Sequence, residues 1–338
     1  MSHIAIIGAG GWGTALGLVA GRAGHAVRLW SRNAEVVSGI NERRMNGVYL
    51  AGHELAGDVR ATCELDEAVR DARMVILAAP SHATRGLLER MADAFRAEVL
   101  LVSATKGIEI ETGQRISEVA GEVVGKECAA RFVCLSGPSF AREVAAGHPT
   151  AVVAAGYDAR ATLSVQAALS FENFRVYTNG DLAGTELGGA VKNVIALAAG
   201  MVSGLGLGTN SIAALITRGL AEITRLALCQ GGRVETLAGL AGLGDLVLTC
   251  TGALSRNRYV GQELGRGRAL EEILSGMHEV AEGVRTTRAV KLLAESHEIE
   301  MPITEQVHAV LYEGKSVRAA AGDLMARPLR GEFAGMGS

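Results

Sequence analysis

The residues that could do chemistry lie in short, separate stretches, and one of these stretches is a glycine-rich turn near the start of the chain. Gly8, Gly10 and Gly13 form a G-x-G-x-x-G pattern directly after the apolar run Ile4 to Ile7 and at the start of a helical pattern. In this setting the first glycine allows a tight turn, the second lets the backbone approach a pyrophosphate, and the third permits close packing of helix and strand. The pattern therefore predicts a dinucleotide-binding turn, with the anion on the helix N–H groups.

The end of the second apolar run bears on which nicotinamide dinucleotide is used. A carboxylate about 20 residues after the glycine pattern favours NAD, because it hydrogen-bonds the ribose 2′-hydroxyl. This chain has Ser31, Arg32 and Asn33 there instead. A cation beside small polar groups suits a 2′-phosphate, so we expect NADPH to be used at least as well as NADH. The alternative is that Arg32 is a solvated surface residue.

Lys192 stands inside an apolar, glycine-rich helical pattern. Side chains of a helix lean toward its N-terminus, and Gly188 and Gly189 precede the lysine by four and three residues. We expect these glycines to leave the ammonium accessible to a ligand. Burial and a second cation nearby would lower the lysine pKa toward neutrality and suit it to general acid and base catalysis. The alternative is a lysine at a domain interface whose ammonium reaches solvent.

Other polar stretches lie in predicted turns. Ser103 to Gly107 and Ser136 to Ala141 follow the fifth and sixth predicted strands, where an open parallel sheet binds its ligands. Gly242 to Asp245 is read as a third such turn, and turn chemistry alone could explain each of the three. Ser255 reads as the N-cap of a helix, whose free N–H groups and Arg256 would form an anion site. An exposed helix start is the alternative there.

Alternating strands and helices must position these residues. Up to about residue 180 the pattern predicts an α/β fold, a Rossmann-type doubly wound and mostly parallel sheet, because continuous apolar strands are separated by helices. An all-α pattern follows, so we expect a nucleotide-binding domain at 1–180 and a helical substrate-binding domain at 181–338. The predicted strands are Ile4 to Ile7, Ala26 to Trp30, Val59 to Thr62, Met74 to Ala78, Val99 to Val102, Phe132 to Leu135, Ala151 to Ala155 and Phe174 to Tyr177. The predicted helices include Gly13 to Ala23, Leu182 to Val202, Ile212 to Cys229, Asn257 to Leu264, Gly283 to Glu295 and Pro302 to Leu311.

Composition excludes several classes of protein. The 338 residues are 49% hydrophobic with a net charge of −3, which argues against disorder and gives no basic excess for nucleic acid or an anionic membrane. The five cysteines include no C-x-x-C pair, so we expect neither a disulfide framework nor a metal site. Met1 leads into a strand without a basic signal region, and the apolar stretch Val194 to Leu207 is too short to span a bilayer. We therefore expect a cytoplasmic protein without membrane insertion.

Six of these stretches together carry a family resemblance. In order and spacing the chain resembles bacterial NAD(P)-dependent sn-glycerol-3-phosphate dehydrogenases from residue 4 to about 325. The resemblance implies reversible reduction of dihydroxyacetone phosphate to sn-glycerol 3-phosphate, a precursor of membrane phospholipids. The motifs that carry it are Ile7 to Ala15, Ala104 to Gly107, Ser136 to Ala141, Gly188 to Asn193, Gly242 to Leu246 and Ser255 to Asn257.

The resemblance also implies roles for individual residues. Lys192 is the implied proton acceptor. The chemistry suggests two further catalytic residues: Lys106 would polarise the substrate oxygen or hold the substrate, and Asp245 would orient Lys192 or a substrate hydroxyl. The implied substrate contacts are Lys106, Gly137, Ser139, Lys192, Asp245, Ser255, Arg256 and Asn257. The glycine pattern itself gives Gly8, Gly10 and Gly13 as contacts to NADP(H) or NAD(H). The resemblance adds Gly11, Trp12, Arg32, Lys106, Ala141, Arg256, Val280 and Glu282.

These roles predict a mechanism and leave two alternatives. Hydride transfer to C2 of the substrate would be matched by proton transfer from Lys192, while Ser255, Arg256 and Asn257 hold the phosphate. A β-hydroxyacid or 6-phosphogluconate type dehydrogenase also joins a Rossmann domain to a helical domain. A regulatory protein that senses NADPH without chemistry is the second alternative. A homodimer is expected from the large apolar helical domain.

Overall fold

The structure, a computed structural model, describes residues 3–55, 57–95, 99–277, 280–329 and 331–332. The described residues divide into two units. The first contains the chain up to Thr105 together with Ile116–Leu182, and the second contains Lys106–Arg115 and the chain from Ala183 onward. The loop Lys106–Arg115 therefore belongs to the second unit although it follows a strand of the first.

An eight-stranded sheet forms the centre of the first unit. Its order is β3-β2-β1-β4-β5-β6-β7-β8, and its paired strands are parallel except for the antiparallel pair β6 and β7. The sequence predictions are confirmed for all eight strands, with bounds that move by at most two residues. The strands are β1 (His3–Ile7), β2 (Val27–Trp30), β3 (Val59–Thr62), β4 (Ala72–Leu77), β5 (Leu100–Ser103), β6 (Val133–Ser136), β7 (Thr150–Ala155) and β8 (Phe174–Asn179).

Both faces of this sheet are covered, as the continuous apolar strands require. Alternate residues of β1 enter different hydrophobic clusters, with Ile4 and Ile6 on one face and Ala5 and Ile7 on the other. The helices of this unit are α1 (Gly11–Arg22), α2 (Ala34–Arg43), α3 (Leu65–Val69), α4 (Thr84–Met91), α5 (Ile116–Val123), α6 (Lys126–Ala130), α7 (Ala141–Ala145) and α8 (Ala159–Leu169), with short 3₁₀ turns at Ser81–Ala83 and Ala92–Ala94.

The regular structure described in the chain after β8 is helical, which confirms the predicted fold class. A π-helical turn, Leu240–Gly244, runs directly into α12. The helices are α9 (Leu182–Gly204), α10 (Thr209–Cys229), α11 (Val234–Ala238), α12 (Asp245–Thr251), α13 (Arg256–Gly265), α14 (Leu270–Ser275), α15 (Glu282–Ser296), α16 (Pro302–Tyr312) and α17 (Val317–Met325).

Helix α9 is the core helix of the second unit. It is long and apolar enough to cross a membrane, but 83% of its most apolar window is buried inside the protein. Its packing against α13 depends on glycine. A Cβ atom at Gly200 would overlap the carbonyl oxygen of Arg258, and one at Gly261 would overlap that of Leu197. The two backbones therefore approach closely, which fixes the start of α13 relative to α9.

Candidate active site

The glycine turn of the first unit has the geometry that a pyrophosphate requires. Gly8 has φ +114°, a left-handed conformation that side chains disfavour, and a Cβ atom there would lie 2.9 Å from the Ala78 backbone. A Cβ atom at Gly13 would overlap the carbonyl oxygen of Gly8, so this glycine allows α1 to pack on the turn. A Cβ atom at Gly10 would meet nothing within 4 Å. The open space over Gly10 leaves room for a phosphate.

Helix α1 begins at Gly11, immediately beyond this space. Its N-cap is Gly10, which has no side chain to satisfy the first N–H groups. A helix of 12 residues presents these groups and the positive end of its dipole to an anion. The indole Nε1 of Trp12 is buried and has no hydrogen-bond partner. The residues of this turn therefore fit the diphosphate of a dinucleotide.

The end of β2 places one cation beside the start of α2. The Asn33 side chain caps α2 by accepting from the Glu35 N–H at 2.9 Å, and the Ser31 hydroxyl accepts from the Asn33 N–H at 3.2 Å. Both small polar side chains are thus used locally. Arg32 between them is exposed. Of these three residues, Arg32 is the one whose charge matches a 2′-phosphate.

The turn after β6 is also tightly built. Gly137 has φ +136°, and a Cβ atom there would lie 3.0 Å from the Cα of Val152. The Ser139 hydroxyl donates to the carbonyl oxygen of Gly137 at 3.0 Å. Ala141 begins α7. Any larger residue at 137 would strain the backbone and collide with β7, so glycine holds Ser139 in place.

Two lysines of the second unit share one aspartate. The Nζ of Lys106 lies 2.7 Å from Oδ2 of Asp245, and the Nζ of Lys192 donates to its Oδ1. Lys192 also donates to the Thr249 hydroxyl at 2.9 Å. Asp245 and Lys192 are only 1% and 5% exposed, whereas the Lys106 side chain is 19% exposed. The structure thus brings together the three residues that the sequence marked as catalytic.

The environment of this cluster shifts its proton affinities. Burial lowers the pKa of Lys192 to about 7; the Asp245 charge opposes this shift, and the Lys106 charge adds to it. Burial alone would raise the pKa of Asp245, but the two ammonium groups hold it below its ordinary value. Burial raises the pKa of the neighbouring Cys250 thiol to about 12, so this group stays protonated near neutral pH. Lys192 alone of these three groups can exchange a proton near pH 7.

The prediction that Gly242 to Asp245 form a turn is wrong. The segment is the π-helical turn that enters α12, and Asp245 is the first residue of that helix. A Cβ atom at Gly242 would overlap the backbone of Leu237, so the glycine pattern reflects helix packing rather than turn chemistry. Single π turns are rare and often occur at functional sites. Here the π turn leads directly to the buried carboxylate.

The role predicted for Gly188 is also wrong. A Cβ atom at this position would lie 2.8 Å from the carbonyl oxygen of Ala241 and 3.3 Å from the Leu237 side chain. Gly188 therefore lets the π turn pack against α9, and protein fills the space expected for a ligand. This close packing brings Asp245 within reach of Lys192.

The start of α13 is capped as the sequence predicted. The Ser255 hydroxyl accepts from the Arg258 N–H at 3.2 Å, and Arg256, the first helical residue, is exposed. Asn257 faces inward instead. Its amide donates to Oδ1 of Asn193 and accepts from the Gly283 N–H, both at 2.9 Å. One amide hydrogen of Asn257 is left for another acceptor.

Asn257 connects three helices that carry predicted site residues. Asn193 follows Lys192 on α9, Arg256 precedes Asn257 on α13, and Glu282 precedes Gly283 at the start of α15. Val280, just before α15, is 41% exposed. Two hydrogen bonds of Asn257 therefore fix the start of α13, where the phosphate is expected to bind, relative to Lys192 on α9.

Sequence reasoning missed Thr249 and the linking role of Asn193. Thr249 lies four residues after Asp245 and donates to its backbone oxygen at 2.6 Å, which is an i to i+4 contact within α12. Reading residues 245–251 as a helix would have placed both side chains on one face. The contact between Asn193 and Asn257 spans 64 residues and leaves no local signal.

Comparisons with known proteins agree over nearly the whole chain. A family described as NAD-dependent glycerol-3-phosphate dehydrogenase N-terminus matches residues 3–162, and its C-terminus counterpart matches residues 181–322. The chain is 55% identical to glycerol-3-phosphate dehydrogenase [NAD(P)+] of Koribacter versatilis, over 97% of this chain and 98% of that protein. It is 50% identical to the protein of the same name from Geobacter sulfurreducens, over 98% of each. The crystal structure of glycerol-3-phosphate dehydrogenase from Coxiella burnetii superposes with a TM-score of 0.92 at 41% identity, covering 96% of this chain and 99% of that one.

Proposed function

Because the chain belongs to the NAD-dependent glycerol-3-phosphate dehydrogenase family, we propose that it reduces dihydroxyacetone phosphate reversibly to sn-glycerol 3-phosphate with NADPH or NADH. The observation that carries the proposal is the buried cluster of Lys106, Asp245 and Lys192. A lysine with a pKa of about 7 can both give and take a proton at physiological pH. We infer that residues 1–180 supply most of the contacts to the dinucleotide and that residues 181–338, with the loop Lys106–Arg115, supply most of the contacts to the substrate.

The glycine turn and the start of α1 fit the dinucleotide. Gly8, Gly10 and Gly13 supply the space, and the first N–H groups of α1, at Gly11 and Trp12, would hold the diphosphate. When bound, the reduced cofactor supplies the hydride for C2 of the substrate. The remaining residues proposed to contact it are Arg32, Lys106, Ala141, Arg256, Val280 and Glu282.

Lys192 is the proposed general acid and base. In the reducing direction its ammonium gives a proton to the oxygen on C2, which gains negative charge as the carbonyl is reduced. In the oxidising direction the neutral amine removes the hydroxyl proton of sn-glycerol 3-phosphate. Oxidation should therefore become faster as pH rises through about 7, and reduction should become slower.

Lys106 and Asp245 set the conditions for that proton transfer. Asp245 holds Lys192 in place and, being ionised, keeps its pKa from falling below neutrality. Lys106 lowers the Lys192 pKa by repulsion, and its partly exposed ammonium can polarise the substrate oxygen. Thr249 accepts a further hydrogen bond from Lys192 and restricts its orientation.

The start of α13 is the proposed phosphate clamp. The Arg256 guanidinium can form two hydrogen bonds to a phosphate. The ten-residue helix α13 also presents its first N–H groups at the end that Ser255 caps. Asn257 can add its remaining amide hydrogen. Gly137 and Ser139 are the substrate contacts proposed in the first unit. Phosphate binding would orient the substrate, so unphosphorylated dihydroxyacetone should react poorly.

Replacement of Lys192 tests this function. We expect Lys192→Ala to lower kcat for NADPH-dependent reduction of dihydroxyacetone phosphate by at least about 100-fold, the usual contribution of a general acid. Cofactor binding, followed by NADPH fluorescence, should change little. Lys126→Ala, which removes an exposed lysine on α6, is the matched control. Near-normal turnover of Lys192→Ala would refute the assignment.

Replacement of Arg256 tests the phosphate clamp. We expect Arg256→Ala to lower kcat/KM for dihydroxyacetone phosphate by about 10-fold or more, because a charge-assisted hydrogen bond contributes about 1.5–3 kcal/mol. The weak reaction of unphosphorylated dihydroxyacetone should be almost unaffected. An equal loss with both substrates would contradict the role in phosphate binding.

We infer that the product supplies the backbone of glycerophospholipids and that the enzyme works in the cytoplasm as a homodimer. Light scattering of the purified protein measures the oligomeric state. Assays with dihydroxyacetone phosphate and with 3-hydroxy acids separate this activity from that of a β-hydroxyacid dehydrogenase, and turnover of either substrate excludes a protein that only senses NADPH.

A further inference from the structure

Lys106 reaches the catalytic cluster from a loop whose far end carries a largely buried ion pair. This loop comprises Lys106–Arg115 and belongs to the second unit. Ile108 and Arg115 form an antiparallel bridge, and the Glu109 N–H donates to the Gln114 carbonyl oxygen at 2.9 Å. Ile108 is 1% exposed within the core of the second unit. The loop is therefore a small folded element, and its two ends lie side by side.

The far end of the loop is attached to the helix that carries Lys192. Nη1 of Arg115 lies 3.3 Å from Oε2 of Glu186 on α9, and the two side chains are 12% and 5% exposed. Glu186 precedes Lys192 by six residues, or roughly 9 Å along the helix. The carboxylate that attaches the loop and the proposed catalytic ammonium thus belong to one rigid element.

The position of Lys106 needs such an attachment. Its ammonium lies at Asp245 beside a second cation, Lys192, and its side chain has the conformational freedom typical of lysine. The Asp245 carboxylate attracts Lys106, but repulsion from Lys192 and solvent access to the Lys106 ammonium oppose that attraction. A loop that moved freely would let the ammonium leave the cluster.

We propose that Arg115 and Glu186 are positioning residues, whose ion pair fastens the loop Lys106–Arg115 to α9 and so holds the Lys106 ammonium at Asp245. The inference rests on the proposed function of the cluster. Arg115 and Glu186 act through Lys106, and proton transfer is left to Lys192.

This role has a consequence that a purely structural ion pair lacks. The Lys106 charge lowers the Lys192 pKa, so an ammonium that leaves Asp245 lets that pKa rise. Asp245 and Cys250, both on α12, also interact electrostatically with Lys192. Neither carries part of the loop attachment. Loss of the ion pair should therefore displace the pH profile of catalysis toward higher pH.

The test compares pH profiles of kcat/KM for oxidation of sn-glycerol 3-phosphate by the full-length protein. The variants are Glu186→Gln, Lys106→Met and their double mutant. Lys106→Met sets the largest displacement that loss of this ammonium can cause. We expect Glu186→Gln to move the midpoint in the same direction by up to that amount, with about a 10-fold loss of activity below the midpoint for each pH unit of displacement. The double mutant should show no displacement beyond that of Lys106→Met, because both changes act through one group.

Control variants separate this result from general destabilisation. Glu295→Gln breaks an exposed ion pair with Lys291 in the same unit and should leave the profile unchanged. If Glu186→Gln does not fold, Arg115→Lys keeps the charge but loses the planar fork, and it should cause a smaller displacement in the same direction.

Two results would overturn the inference. One is that Glu186→Gln, or Arg115→Lys if that variant is used instead, unfolds at a lower temperature but keeps the same pH midpoint as the unmutated protein. The other is a double mutant in which the two displacements add. If the unmutated protein shows no midpoint near pH 7 and Lys192→Ala remains active, the proposed function itself fails, and the two failures are thereby distinguished.

Discussion

Removal of the Asp245 charge, by Asp245→Asn, should lower the pKa of Lys192. Asp245 is the carboxylate partner of both ammonium groups in the cluster, and its charge opposes the effect of burial on Lys192. Two unit charges about 4 Å apart attract each other by about 4 kcal/mol at an effective dielectric constant of about 20. The Lys192 ammonium and the Asp245 carboxylate are hydrogen-bonded and lie at least this close. At 1.36 kcal/mol per pKa unit, this energy corresponds to about 3 units. We therefore expect the Lys192 pKa to fall from about 7 toward about 4.

The assay measures kcat/KM for both directions of the reaction between pH 5 and pH 10. In the unmutated protein, oxidation of sn-glycerol 3-phosphate should rise through a midpoint near pH 7, and reduction of dihydroxyacetone phosphate should fall through it. In Asp245→Asn both midpoints should move below pH 5 together, because one group serves both directions and the substitution cannot change the overall equilibrium. Across the measured range, oxidation should then hardly change with pH and reduction should stay slow. The plateau rate of oxidation should also fall, since a less basic amine is a weaker general base.

Lys106→Met provides a comparison of opposite sign. It removes a like charge, so the Lys192 pKa and both midpoints should rise. Asp323→Asn, which removes an exposed carboxylate beside Lys315 on the surface, should leave them unchanged. Thermal unfolding and NADPH binding confirm that each variant is folded. Midpoints that stay in place in Asp245→Asn, or that move the same way in Asp245→Asn and Lys106→Met, would refute the assigned electrostatics.

Two further predictions concern cofactor choice and helix packing. Arg32→Ala should raise KM for NADPH about 10-fold or more relative to KM for NADH, because the 2′-phosphate loses a charge-assisted hydrogen bond, and an unchanged ratio of the two constants would show that Arg32 is only a surface residue. Gly200→Ala should destabilise the protein by about 1–3 kcal/mol, because its Cβ atom would force α13 away from α9. Thermal unfolding measures this loss, and Gly322→Ala, a helical position with open space around it, is the control and should cause no such loss.

Much of the first unit could be predicted from local sequence. Parallel strands are buried on both faces, so they consist of continuous apolar residues. A run such as Ile4 to Ile7 can therefore be recognised as a strand from its own residues. The glycine turn was also predictable from its pattern. The steric demand at Gly13 is local, because a Cβ atom there would overlap the carbonyl oxygen of Gly8, whereas the demand at Gly8 comes from the distant backbone of Ala78. The Ser255 cap depends only on the N–H group three residues later.

The residues around Lys192 were recognised by type, but their use was misjudged where it depends on distant segments. Gly188 was expected to clear space for a ligand, whereas it admits the π turn that precedes Asp245. Because glycine has no side chain, it can leave space either for a ligand or for another segment of the protein. Only the tertiary structure shows which of the two occupies that space. The turn expected at Gly242 to Asp245 was wrong for a local reason, because Gly242 packs closely on the backbone of Leu237 and the segment continues as a π-helical turn into α12.

The sequence by itself thus determined the two fold classes, the position of the glycine-rich turn after β1 and the identity of the charged residues. Only the tertiary structure placed Lys106, 139 residues from Asp245 along the chain, at the same carboxylate as Lys192. The physical reason is that a lysine pKa depends on burial and on charges within a few ångströms, and neither is encoded by neighbours in sequence. Tertiary packing therefore turned two ordinary lysines and an aspartate into a cluster that can exchange a proton at neutral pH.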